Sequence, residues 1–333
     1  MLELVRKICA AHGVTGCEKK ASDVICKEIA PYTDEQYNDC LGNLIAVKKG
    51  SGNGKKIMLC AHMDEIGFMA TFIESNGQIR IAPVGGIGFA SVAYGMMISE
   101  NGVRGVLVPD GKTKPAEYTA DKFYIDIGAS NKKEAERKVK IGDVFRFDAG
   151  IVRLMGKKVC GHPLDDRIGC VVLVEIAKTL ADVKINDDIY YVFSVQEEVG
   201  CRGSKTAAFA IAPDISLAYD VTGTGDTPGC TPMACKVGGG AAIKIKDSSV
   251  ICDPALVSEL RTLAEEKKIK HQLEILTYGG TDTSSMQMAG KGSRACALSI
   301  PTRYIHSANE MCDLDDVKAC ADLTVEYIKG INS

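Results

Sequence analysis

Apolar positions recur at helical spacing through the start of the chain: Leu2, Val5, Ile8 and Cys9, then Ala21, Val24, Ile25 and Ile29, with Gly13 to Gly16 between the two runs. That spacing predicts two amphipathic helices within residues 3–30. Two short apolar runs follow, Asn43 to Val47 and Ile57 to Ala61, and read as strands. From Phe68 to about Val159 the texture changes to short alternating segments between glycine-rich turns: Gln78 to Val84, Gly105 to Val108, Phe123 to Ile127 and Val144 to Phe147. Asn131 to Lys138 is the one helical stretch there, so the region reads as a small β-rich domain or barrel. Beyond it the α/β pattern returns. Ile189 to Val195 is β-branched and aromatic with almost no charge, as expected of a strand buried on both faces in a parallel sheet. A helix near Lys205 to Ala210 leads to a strand at Ile215 to Ala218, and a further strand follows at Ala241 to Ile245. Helices at Pro254 to Glu266 and Asp313 to Lys329 flank a strand at His271 to Leu276. The pattern therefore gives one α/β domain, residues 1–67 and 160–333, interrupted by a β-rich domain at 68–159.

Composition narrows the function. A chain of 333 residues with net charge −3 has no basic surplus to hold a phosphate backbone, which argues against nucleic acid as a partner. The first helix carries Glu3, Arg6 and Lys7 among its apolar positions, unlike a signal peptide. No apolar run approaches the roughly 20 residues of a membrane helix, so no membrane is expected and the cytoplasm is the expected location. The 14 cysteines are scattered without a CxxC pair, which reads as small buried hydrophobes in a reducing cell. Cys60 and Cys201 are the candidates for the alternative, a redox-sensitive thiol near an active site.

Ionisable residues collect where strands end. Gln196-Glu197-Glu198 follows the Ile189 to Val195 strand, and adjacent strand-end carboxylates point in different directions, so one can bind a metal while the other faces a substrate. A solvated loop start explains an isolated Glu-Glu pair equally well. After the second strand comes Ala61-His62-Met63-Asp64-Glu65, where His62 and Asp64, two apart, suit a metal-binding imidazole braced by a carboxylate. A structural histidine is the simpler reading of that pair alone. Asp165 and Asp166 sit where a loop becomes a helix, so capping the helix competes with a functional role. Asp220 again ends a strand, Asp282 follows the Tyr278-Gly279-Gly280-Thr281 turn, and His306 follows the apolar Ala297 to Ile300 run. Two histidines with three carboxylates suit a pair of zinc or cobalt ions, and a further glutamate is then needed to take the proton of the attacking water.

Six ordered stretches, AHMDEIGF, DDRIGC, SVQEEVGCRGS, YDVT, YGGTD and IPTRYIHS, resemble those of the tetrahedral aminopeptidases, a dinuclear-metal peptidase family with glutamyl, leucyl and lysyl members. The resemblance spans nearly the whole chain. It implies a zinc-peptidase-like three-layer α/β sandwich with a mixed central sheet, and an inserted barrel or PDZ-like domain that mediates dimerisation. It further implies that His62 and Asp220 bind one divalent ion, that Glu198 and His306 bind the other, and that Asp165 bridges them. Glu197 would be the general base and Asp64 would orient His62. Dimers would build a homo-oligomeric, twelve-subunit tetrahedron that admits short peptides. Where relatives usually have a small or basic residue before the Leu-Asp-Asp step, this chain has His162-Pro163, so His162 is either a neutral loop residue or an accessory contact near the metals.

The expected activity is removal of N-terminal residues from short peptides. Glycoside hydrolysis is the rival within enzymes, but the chain has no tryptophan and only 6% aromatic residues to stack on sugars. A catalytically inactive peptide-binding scaffold is the rival outside them. Arg202, Arg303 and Lys291 are candidates for favouring an acidic N-terminal residue, and the leaning is to acidic or broad neutral substrates.

Overall fold

A computed structural model describes residues 1–52 and 54–331. Helices α1 (Leu2–Ala10) and α2 (Lys19–Ile29) are followed by strands β1 (Glu35–Asn38), β2 (Leu44–Lys48) and β3 (Lys56–His62). Next come β4 (Gly67–Ile73), β5 (Ile79–Val84), helix α3 (Phe89–Val92), β6 (Met96–Ser99), β7 (Arg104–Pro109), β8 (Phe123–Asp126), α4 (Lys132–Glu136) and β9 (Val144–Phe147). Strands β10 (Val152–Arg153) and β11 (Lys158–Gly161) lead to α5 (Arg167–Leu180), β12 (Asp188–Ser194), α6 (Arg202–Ile211) and β13 (Ile215–Thr222). The chain closes with β14 (Ala241–Lys246), α7 (Pro254–Glu266), β15 (His271–Ile275), α8 (Asp282–Gln287), β16 (Arg294–Pro301), β17 (Glu310–Asp313) and α9 (Leu314–Ile331).

Eight strands form the central sheet in the order β1-β2-β12-β3-β13-β16-β14-β15. Strand β12 was expected inside a parallel sheet, but only its β3 side is parallel; its other neighbour, β2, runs antiparallel. The reason lies in β1 and β2, a hairpin that adds to the sheet edge without a crossover. Period-two alternation assigns the two faces. Leu59, Tyr191, Phe193, Leu217, Tyr219 and Leu298 enter the core shared with α1, α2, α5, α7 and α9. Their neighbours Met58, Cys60, Val192, Ala218 and Ala297 face Ala207, Ala208 and Ile211 of α6 and Met286 of α8. The result is a three-layer sandwich.

The four strands β12, β3, β13 and β16 are mutually parallel, so their carboxyl ends lie along one edge. Ser194 pairs with His62, Asp220 pairs with Ser299, and Cys60 pairs with Ala218, which brings His62 level with Asp220 two residues on. Both side chains fall on the α6 and α8 face, the face of Cys60 and Ala218. This register is what gathers residues that lie far apart in the chain.

The β-rich segment closes as a barrel in the order β4-β5-β8-β7-β6-β9 around Phe68, Phe123, Phe145 and Phe147. Phe68 and Phe147 meet edge to face with ring centroids 6.1 Å apart. Beyond the barrel, β10 and β11 form a small sheet with β17, tying residues 152–161 to the segment just after His306. No helix among the described residues is long and apolar enough to cross a membrane.

Candidate active site at the strand ends

His62 is the last residue of β3 and is buried. Its Nε2 lies 3.1 Å from Asp165 Oδ1, 3.8 Å from Asp220 Oδ1 and 4.0 Å from Glu197 Oε2, and its Nδ1 lies 3.4 Å from Asp64 Oδ1. His306 Nε2 lies 3.3 Å from the other Asp165 oxygen and 3.2 Å from Glu198 Oε2. Asp165 thus directs one oxygen at each imidazole. Asp64 is fully buried and accepts the backbone N–H groups of Glu197 at 3.0 Å and Glu198 at 3.2 Å, together with the Thr15 hydroxyl at 2.8 Å. One carboxylate therefore braces His62 and fixes the direction of both glutamates.

The two neighbouring aspartates separate their tasks. Asp166 caps α5 by accepting from Gly169 N at 3.1 Å and also accepts from His62 N at 3.2 Å, so its oxygens are engaged with backbone. Asp165 is left to face the histidines. The peptide between them is cis, as is His162–Pro163. Asp282, grouped with the site by its position after a turn, lies behind it. It accepts hydrogen bonds from Ser194 and Ser204, each at 2.5 Å.

Electrostatics follow from crowding acids in a dry cleft. Burial pushes Glu197, Asp220 and Glu198 up. Burial also acts to raise Asp165, but the His306 and His62 rings outweigh it and hold that carboxyl below its ordinary range. His306 is pushed down by burial, yet Asp165 and Glu198 raise it to about 12. So many carboxylates around two imidazoles demand more positive charge than the protein supplies, and Glu198 Oε1 is buried without a hydrogen-bond partner. Ligand atoms of His62, Asp165 and Glu198 lie within 4.8 Å of one another, as do those of His62, Asp166 and Asp220. With Asp166 committed to backbone, the donor set of two imidazoles and the carboxylates of Asp165, Glu198 and Asp220 fits divalent cations.

A layer of buried charge behind these residues was not visible from sequence. Glu310 Oε2 accepts from Leu164 N at 2.6 Å and Asp165 N at 3.1 Å, while its Oε1 accepts from His306 N at 3.0 Å. His162, expected to be either a neutral loop residue or an accessory contact near the metals, does not line the cleft. It is buried between Glu65, 3.2 Å from Nε2, and Glu310, 3.7 Å from Nδ1, with Phe147 of the barrel packed edge-on to its ring. Arg167, fully buried, donates to Met63 O, Ile8 O and Ala11 O and pairs with Glu65 at 3.2 Å. Only the HMDE stretch hinted at Glu65. Nothing local marks Glu310, because its role arises where β17 returns beside β11.

The backbone is strained where the site is densest. Gln196, Cys201, Tyr304 and His306 all have positive φ, between 51° and 61°. Gly203, in the first turn of α6, has a packing role. A Cβ there would stand 2.4 Å from Val195 O and 2.6 Å from Val195 N, so the glycine lets α6 approach the end of β12 closely.

The site opens into a cavity of about 690 Å³ walled by the segments after β13 and β16, by the Tyr278 to Gly280 turn, and by Gly86 of the barrel. The three basic candidates do not all reach it. Lys291 pairs with Asp214 at 3.0 Å at the amino end of β13, the opposite edge of the sheet, and Arg202 does not line the cavity. Arg303 does line it, but it is forked onto Asp226, with Nε to Oδ1 at 2.9 Å and Nη2 to Oδ2 at 2.7 Å.

Known proteins match this arrangement along its whole length. Residues 42–323 match the model of a family described as M42 glutamyl aminopeptidase. A relative from Acetivibrio thermocellus, named as an aminopeptidase, is 46% identical over 98% of both chains. A lysyl aminopeptidase from Pyrococcus furiosus is 33% identical over 99% of this chain and 96% of its own. Among solved structures, the Pyrococcus horikoshii TET1 peptidase superposes with a TM-score of 0.89 at 32% identity, covering 98% of each chain; it assembles into a tetrahedron or a large octahedral shell. Shared sequence over so much of the chain, on a closely superposing fold, has one explanation: the chain belongs to the M42 glutamyl aminopeptidase family.

Proposed function

We propose that the protein is a metal-dependent aminopeptidase in which His62 and Asp220 hold one divalent ion, His306 and Glu198 a second, and Asp165 both, zinc or cobalt being the ions suited to this donor set. The observation that carries this is Asp165, with one oxygen directed at each imidazole. Bound there, the ions supply a water of lowered pKa and polarise a carbonyl. Glu197 is the general base: it stands beside the His62 half at 4.0 Å, and burial raises its carboxyl toward the range in which it can take a proton and return it to the leaving amine. Asp64 positions both His62 and the two glutamates, and the cluster's carboxylates receive the free α-amine of the substrate.

The substrates are short peptides and the location is the cytoplasm. The segment 68–159 acts as a dimerisation domain, and dimers assemble further into a closed dodecameric shell. The assembly of the Pyrococcus horikoshii relative supports that reading. Neither rival gains support, since the chain has no tryptophan to line a sugar groove and no residue of the expected set is missing.

The test is hydrolysis of leucyl p-nitroanilide by protein freed of metal with a chelator. Activity should vanish and return with zinc or cobalt, and Glu197→Gln should lose roughly 10²- to 10⁴-fold in kcat while still binding metal. Undiminished turnover by Glu197→Gln removes the proposed base.

A further inference from the structure

The family's own names divide between acidic and basic N-terminal residues, so the chemistry of this chain's cavity must decide what it accepts. Acidic side chains in the cavity wall are confined to Asp165, Glu197, Glu198 and Asp220, all of them in the proposed metal and base cluster. Beyond that cluster and Arg303 the wall is uncharged, with hydroxyls such as Thr222, Thr224, Ser249 and Tyr278 alongside apolar Leu276 and Ile305. Among the described residues lining the cavity, the one cation outside the two histidines is Arg303. Its charge is already offset, because Asp226 takes Nε and Nη2 with its two carboxylate oxygens. Asp226 is itself held by Val237 N at 3.1 Å, and Arg303 is pinned at its backbone by paired bonds to Met311 at 2.9 and 3.0 Å. The fork is therefore set in place from both sides rather than being a chance meeting of two mobile chains.

From this geometry we infer that the enzyme selects uncharged N-terminal residues, and that Asp226 is a specificity-determining residue because it cancels the charge of Arg303. The inference rests on the aminopeptidase reading above. A glutamyl side chain entering this cavity gives up water and meets no free cation; a lysyl side chain meets no free anion beyond those committed to the ions. Burying an unpaired charge is costly, whereas hydroxyls and Leu276 accommodate a neutral side chain.

A panel of leucyl, alanyl, seryl, glutamyl and lysyl p-nitroanilides, assayed with the metal-loaded wild type, tests the substrate class. Neutral substrates should exceed both charged ones by at least about tenfold in kcat/KM, the effect of one uncompensated unit charge in a partly dry site. Preference for the glutamyl or lysyl substrate overturns the class. Asp226→Asn frees Arg303 and should raise the glutamyl-to-leucyl ratio of kcat/KM by about tenfold, chiefly through a lower KM for the glutamyl substrate. Arg303→Met is the counterpart: it should stay neutral-selective and abolish the gain when combined with Asp226→Asn. An unchanged ratio in folded Asp226→Asn overturns the role of Asp226. Failure of the underlying reading looks different: no member of the panel is cleaved, or Glu197→Gln cleaves them all as well as wild type does.

Discussion

Replacing Glu310 by glutamine removes one acceptor from a carboxylate that holds three backbone N–H groups, those of Leu164, Asp165 and His306. Whichever way the amide turns, its NH₂ faces at least one of those donors. The better orientation leaves His306 N without its partner; the worse one abandons both Leu164 and Asp165. A bond to a charged acceptor is worth about 1.5–3 kcal/mol, and the bonds that survive become neutral and about half as strong. The total loss is therefore about 3–6 kcal/mol, at a residue with no solvent exposure to relieve it. Because the freed segments carry Asp165 and His306, part of that loss should appear as weaker metal binding. Residues that orient metal ligands typically contribute 10- to 100-fold in affinity. Titration of chelator-treated protein with zinc, followed by activity, should show half-maximal activity shifted 10- to 100-fold upward in Glu310→Gln. Turnover at saturating metal should be little changed, since Glu197 is untouched. A variant with wild-type metal requirement and wild-type unfolding midpoint would refute the argument that Glu310 ties the two halves of the site together.

Other outcomes follow from the same geometry. Burial alone would lower His162, but Glu310 and Glu65 outweigh it and raise the imidazole to about 9, with Arg146 and Arg167 on the far side of Glu65. A raised folded-state value stabilises fully below the unfolded value near 6.5 and is lost as pH rises through about 9. Urea unfolding should therefore show wild type exceeding His162→Gln by on the order of 3 kcal/mol near pH 6, with the gap closing by pH 10; a gap that widens with pH contradicts this. Gly203→Ala should destabilise by roughly 2 kcal/mol or more, because the added methyl meets Val195 backbone, which cannot yield, as well as the Asn43 side chain, and a midpoint equal to wild type would show that α6 can shift. Chelation should lower the thermal midpoint and zinc should restore it, through the mutual repulsion of Asp165, Glu198, Asp220 and Glu197 when no cation offsets them. A midpoint indifferent to chelator would exclude the cluster as a metal site.

Much of this site was legible because strand ends announce themselves. The apolar runs ending at Ala61 and Val195 stop where His62, Glu197 and Glu198 begin, and parallel pairing then does the gathering. Helices with strong local signals were equally readable: Pro254–Glu266 lies where its Asp253 cap and first-turn proline put it. Pattern alone could not apportion Asp165 and Asp166, since both satisfy the rules for a helix start and only the fold decides which oxygens the Gly169 amide takes. It could not reveal that Arg303 is spoken for, because Asp226 lies 77 residues earlier in a stretch with no periodicity. Nor did it mark β6, a four-residue strand too short to show alternation.

The Gly85–Gly86 turn carries one more implication. It leaves the barrel to stand over the catalytic cleft: a Cβ on Gly85 would lie 3.3 Å from the Glu198 carboxylate, and one on Gly86 would lie 3.5 Å from the His306 ring. If the barrel is also the surface through which copies join, then whatever tilts it during assembly or dissociation moves a piece of the cleft's rim. Catalytic competence in this enzyme would then report on its quaternary state through two residues too small to do anything but leave room.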